Sequence, residues 1–194
     1  MGEDRREIRT MCHEVRASPA EDGKGWRFEG YAAVFDSLSE DLGGFRERIA
    51  RGAFTQALTR GDDVRALFNH DANYVLGRTT AGTLRLSEDD HGLRFEVDAP
   101  DVGWVRDLRE SVKRGDINQC SFQFTVDKES WDEADKQNVV RTLEDVRLYD
   151  VSLVTYPAYA ATSASARSLK REEDKPDCWR RKLGARMLAL KEKA

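Results

Sequence analysis

The chain has 194 residues, 35% of them charged, and a formal net charge of −4. That is enough for one cored domain with a tail, and the near-balanced charge gives no electrostatic reason to expect a nucleic-acid partner. No apolar run is long enough to span a bilayer, Met1-Gly2-Glu3-Asp4-Arg5-Arg6 lacks a signal-peptide core, and the scattered Cys12, Cys120 and Cys178 form neither a disulfide framework nor a zinc pair, so a reducing cytoplasm without cofactor or metal is expected.

Residues 1–25 are a polar segment with a first strand expected over Arg9 to Arg16 and turn signals at Ser18-Pro19 and Gly23-Lys24-Gly25. Trp26 to Phe35 alternates as a strand should. Phe54, Ala57 and Leu58 fall at helical spacing before a stop at Gly61, and Asp63 to His70 returns to a strand. Thr83 to Leu86 and Leu93 to Ala99 flank the acidic turn Glu88-Asp89-Asp90-His91-Gly92 and read as a hairpin. Trp104 to Lys113 is the clearest helix, with Val105, Leu108 and Val112 on one face and Gly115 beyond its end. Two strands, Asn118 to Val126 and Val139 to Val154, then enclose a charged loop.

Many short strands with few helices predict a mainly β, α+β fold, a barrel-like antiparallel core dressed with helices. That core is expected over 26–160. Beyond Pro157 the composition turns small, polar and then highly charged. Trp179, Leu183, Met187 and Leu190 fall at helical spacing, so 161–194 reads as a linker and an amphipathic helix.

Two residues invite chemistry. Ser121 sits in Gln119-Cys120-Ser121-Phe122-Gln123-Phe124, where alternation puts Ser121, Gln123 and Thr125 on one face and Cys120, Phe122, Phe124 and Val126 on the other. The apolar face anchors the strand and leaves the serine on the polar side. Parity sends Cys120 into the apolar face, where burial keeps a thiol inert. His70 ends Leu67-Phe68-Asn69-His70-Asp71. A serine needs a base within hydrogen-bond reach to become a nucleophile, and the base needs an acceptor that fixes its tautomer. On pattern alone each residue also has a plain reading: a solvent-facing strand serine, and a strand-end histidine bonded to a backbone carbonyl.

For the acceptor, a hairpin turning near Glu133 would put Asp145 opposite Ser121 and on its face. Glu144 would then point away, and Asp150 would lie farther along on the other face; a bulge would restore Glu144. The order is Asp145 first, Asp150 second, Glu144 third. An oxyanion hole of backbone N–H groups leaves no side-chain signature. The Gly-x-Ser-x-Gly elbow of ester hydrolases is absent around Ser121.

In order, Glu29-Gly30-Tyr31-Ala32-Ala33-Val34-Phe35, Arg51-Gly52-Ala53-Phe54, Phe68-Asn69-His70-Asp71, Gly115-Asp116-Ile117-Asn118-Gln119-Cys120-Ser121-Phe122 and Leu148-Tyr149-Asp150-Val151-Ser152-Leu153-Val154-Thr155-Tyr156-Pro157-Ala158 resemble the prohead protease family of HK97-like tailed bacteriophages. Cys120 and Phe122 depart from the small or aliphatic residues usual beside the serine. The resemblance implies a herpesvirus-protease-like fold and a serine endopeptidase with Ser121 as nucleophile and His70 as base. The family's acidic position before the Val-x-Leu segment falls on Asp145. It also implies the partners and the place: the major capsid protein and its scaffolding segment, inside an assembling procapsid in the host bacterial cytoplasm. Cleavage of the chain itself and self-association are implied too. The alternative is a non-enzymatic capsid-assembly or scaffold-binding protein on the same fold.

Overall fold

The computed structural model describes residues 6–11, 15–20, 25–135 and 138–156. The expected linker and helix over 161–194 lie outside the described residues. In chain order the elements are β1 (Glu7–Met11), β2 (Arg16–Pro19), β3 (Trp26–Val34), β4 (Arg46–Ile49), α1 (Thr55–Arg60), β5 (Arg65–Phe68), β6 (Asp71–Arg78), a 3-10 turn (Thr79–Ala81), β7 (Leu84–Glu88), β8 (Gly92–Ala99), α2 (Gly103–Arg114), β9 (Gln119–Asp132) and β10 (Val140–Val154).

Two sheets hold these strands. A six-stranded sheet runs β1-β9-β10-β5-β6, with β4 also on β10, and a four-stranded sheet runs β2-β3-β8-β7. The mainly β class with few helices is as expected. The sheet carrying Ser121 is mixed, because β10 takes parallel neighbours on β4 and β5 as well as antiparallel β9. A strand following a hairpin is antiparallel by construction, whereas β4 and β5 reach β10 over connections long enough to arrive in parallel.

The core forms where the apolar faces meet. Phe28, Phe95 and Val97 from the four-stranded sheet join Phe122, Phe124, Leu148 and Val151 from the other, and α1 closes one side with Ala57 behind fully buried Phe54. Phe54 meets Phe122 edge-on at 5.6 Å, and Phe122 stacks on Phe124 at 4.9 Å. Each buried phenyl contributes about 2–3 kcal/mol. Helix α2 buries Val105, Leu108 and Val112 and stops at Gly115, whose φ of 81° is the left-handed cap anticipated there. In the β3–β8 ladder only glycine fits at 92, since a Cβ would run into the Ala33 carbonyl.

The first strand is Glu7–Met11 rather than Arg9 to Arg16, and it belongs to the main sheet, antiparallel to β9. Its charged residues are held in ion pairs. Arg9 is 9% exposed and reaches Glu47 of β4 through Nε at 2.6 Å and Nη2 at 2.8 Å. Arg141 of β10 joins Glu47 at 3.0 Å and Glu7 at 2.9 Å, and its Nε donates to Glu129 at 2.6 Å. Burial works to raise the Glu7 pKa, but the hydrogen bond and charge of Arg141 and the charge of Arg9 outweigh it and bring it down to about 2. This network stitches β1, β4, β9 and β10 together, and removing one partner would strand a buried charge at a cost of about 3–5 kcal/mol.

Candidate active site

Three strands of the mixed sheet bring the chemistry together. On β9, alternation places Cys120, Phe122 and Phe124 in the core and Ser121 on the opposite face. Ser121 is nonetheless 0% exposed, not solvent-facing, because β1 pairs beside it with Thr10 directly opposite and His70 lies above it. Burial pushes the Cys120 thiol well above the usual range, so the neighbouring thiol stays protonated.

His70 is not the end of a strand but the second central residue of the tight β5–β6 turn. Asn69 and His70 have φ of 55° and 57°, the left-handed pair of a type I′ hairpin. Asparagine and histidine tolerate that region better than most residues, but two such residues in a row persist only where their surroundings hold them. The holding is visible: the Asn69 backbone N–H donates to the Leu153 carbonyl, and its side-chain Oδ1 accepts from the Thr155 backbone N–H, both at 2.9 Å. Asn69 Nδ2 also donates to Thr155 Oγ1 at 2.9 Å. The turn carrying the imidazole is thereby pinned to the end of β10. Asn69→Gly should keep the turn and lose the side-chain clamp, whereas Asn69→Ala loses both. The alanine variant should therefore melt below the glycine variant by about 1 kcal/mol, or about 2–4 °C. Equal melting temperatures would show that the turn is not what Asn69 secures.

The imidazole bridges two partners. Its Nδ1 lies 2.6 Å from Asp150 Oδ1, and its Nε2 lies 2.7 Å from Ser121 Oγ. The Asp150 side chain is 6% exposed and the His70 side chain 16%. Ser121 Oγ also donates to the Arg9 carbonyl at 2.9 Å. One hydroxyl has one proton, so it serves Nε2 or that carbonyl, not both.

Asp145, placed first by the register argument, is not at the site. It pairs with Lys128 in the ladder, and its Oδ1 is buried without a partner. Glu144 is ion-paired with Lys128 Nζ at 2.7 Å. Ser152, not Asp145, stands opposite Ser121, a slide of seven residues. Most of the slide arises because β9 runs to Asp132 and β10 starts at Val140, so the loop centres near 136 instead of Glu133. The last residue of it comes from a bulge between Leu148 and Asp150. Leu148 faces the core; without the extra residue Asp150 would face it too. With Tyr149 inserted, Tyr149 bonds Thr125 on the outer face at 3.3 Å and Asp150 turns outward beside Gln123 and Ser121.

Among the described residues no group of three or more His, Cys, Asp or Glu side chains could hold a metal ion, and no helix is long and apolar enough to cross a membrane. Asn69 and Ser152 went unmarked in the sequence reading. The signal for Asn69 is its place directly after the apolar Ala66-Leu67-Phe68, and for Ser152 its spacing of two from Asp150.

Comparisons with known proteins bear on the family and the fold. A family model described as caudovirus prohead serine protease matches residues 13–175. The prohead protease of Enterobacteria phage HK97 is 29% identical over 140 residues, which is 71% of this chain and 58% of that protein's length, so the chain spans less than two thirds of this relative. The bacteriophage T4 capsid assembly protease has a similar fold, with a TM-score of 0.54 at 12% identity over 80% of this chain and 100% of that one.

Proposed function

The chain belongs to the caudovirus prohead serine protease family, and we propose that it is a serine endopeptidase of capsid maturation with Ser121 as nucleophile, His70 as general base and Asp150 as the acceptor that orients the base. The observation that carries this reading is the imidazole bridging a serine hydroxyl and a buried carboxylate at 2.7 and 2.6 Å. With its proton on Nδ1, bonded to Asp150, the ring presents the Nε2 lone pair to Ser121. When the hydroxyl turns from the Arg9 carbonyl to Nε2, Oγ can attack a scissile carbonyl as its proton passes to the ring. The imidazolium so formed is stabilised by Asp150 and returns the proton to the leaving amine. Water then hydrolyses the acyl-enzyme by the same base.

The substrate in this reading is the scaffold, or the scaffolding segment of the major capsid protein, inside the assembling procapsid in the host cytoplasm, with cleavage of the chain itself besides. A non-enzymatic scaffold-binding role gives no reason for two short hydrogen bonds to converge on one imidazole. Incubating the chain with a major capsid protein that carries its scaffolding segment, then sequencing the new termini, tests the reading. The expected result is discrete internal cleavage, blocked by a serine-reactive fluorophosphonate that labels Ser121. An intact capsid protein and an unlabelled chain would favour the non-enzymatic role.

A further inference from the structure

Ser152 carries a hydroxyl that the steps above do not use. It is 2% exposed, lies two residues beyond Asp150 on the same face of β10, and stands opposite Ser121 in the β9–β10 ladder. Its Oγ donates to Asp150 Oδ1 at 2.8 Å and lies 3.2 Å from His70 Nδ1. The same carboxylate oxygen thus accepts from the imidazole and from Ser152.

An aspartate carboxylate turns about a broad, roughly two-fold χ2 torsion, so one hydrogen bond does not fix the plane of the group. A second donor on the same oxygen, in a buried strand that cannot shift, does. We propose that Ser152 is a positioning residue for His70: it pins Asp150 Oδ1 against the Nδ1 side of the ring, which keeps the proton on Nδ1 and the lone pair of Nε2 on Ser121. Most side-chain hydrogen bonds go to backbone or water; this hydroxyl donates instead to the carboxylate that sets the tautomer. The inference rests on the peptidase reading for its importance, but its geometry can be tested without turnover.

The test compares the unaltered chain with Ser152→Ala, Ser152→Cys and Ser152→Thr, by peptide cleavage and by NMR of the His70 ring nitrogens and the Nδ1 proton. Losing a hydrogen bond to a charged group should lower kcat about tenfold with KM little changed. The Nδ1 proton resonance of Ser152→Ala should move upfield and broaden as the short bond to Asp150 loosens. Ser152→Cys keeps the volume but is only a weak donor, and should fall with alanine; Ser152→Thr keeps the hydroxyl and should recover both readouts. The inference is overturned if Ser152→Ala leaves the Nδ1 resonance and ring nitrogens as they were, whether or not kcat falls. A well-folded Ser152→Thr no better than alanine overturns it too. Failure of the peptidase reading would show separately, as absence of Ser121-dependent cleavage by the unaltered chain.

Discussion

Ser121→Ala should lose peptide cleavage by about ten-thousand-fold or more and keep its fold. The chemical half follows from the geometry. Ser121 Oγ is the atom 2.7 Å from His70 Nε2, and among the described residues no other hydroxyl or thiol bonds that nitrogen. The adjacent Cys120 points into the core, and burial holds its thiol protonated. The stability half is less obvious, because Ser121 is wholly buried and its hydroxyl bonds the Arg9 carbonyl. Alanine removes a single oxygen, so the cavity is small and the loss is one modest hydrogen bond, about 1 kcal/mol. Thermal melting should move by only about 2–4 °C. Undiminished cleavage by a cleanly purified Ser121→Ala protein would remove Ser121 from the mechanism. A collapsed melt would instead show that the hydroxyl is holding β1 in place.

How far the sequence could reach depended on the kind of interaction each residue makes. The face of Ser121 was legible because period-2 alternation through Cys120, Phe122 and Phe124 records burial residue by residue. Helix α2 was legible for the same reason at the helical period, with Gly115 marking its end. The strand β1 begins earlier than its pattern suggests because Glu7 and Arg9, on the same face as Phe122 and Phe124, look solvated in sequence and are instead tied into an ion-pair network with Glu47 and Arg141. That network is built from four separate strands, and no local pattern announces it. The burial of Ser121 was hidden likewise, since it depends on β1 packing alongside. The His70 turn looks like a strand end in sequence because Asn69-His70 lacks the glycine that usually signals a type I′ hairpin. The acidic partner was misplaced for a purely geometric reason. Register depends on where a polar loop turns and on a bulge at Tyr149, and neither leaves an apolar trace.

The same geometry ranks the carboxylates, and Asp150→Asn should be the variant that stops peptide cleavage while Asp145→Asn and Glu144→Gln do not. Asparagine keeps the size of Asp150 but gives up the charge that stabilises the imidazolium. Its amide can also donate to Nδ1, which drives the ring proton to Nε2 and leaves nothing facing Ser121 that can accept. A loss of about ten-thousand-fold in kcat is expected from the wrong tautomer. The Asp145 side chain meets neither His70 nor Ser121, and its Oδ1 is buried without a partner, so an amide there removes a charge but no bond at that oxygen. Glu144 is held to Lys128, whose side chain is 71% exposed, so its loss should leave the melting temperature nearly unchanged and cleavage within about twofold. Peptide cleavage by the three variants, each checked for its melting temperature, decides the matter. Full activity in Asp150→Asn with loss in Asp145→Asn would mean that the working enzyme pairs β9 and β10 in a register other than the one in which Ser152 faces Ser121. With Asp150 inactive and the other two near normal, the bulge at Tyr149 becomes part of the catalytic apparatus, because it alone turns Asp150 out of the core and under the imidazole.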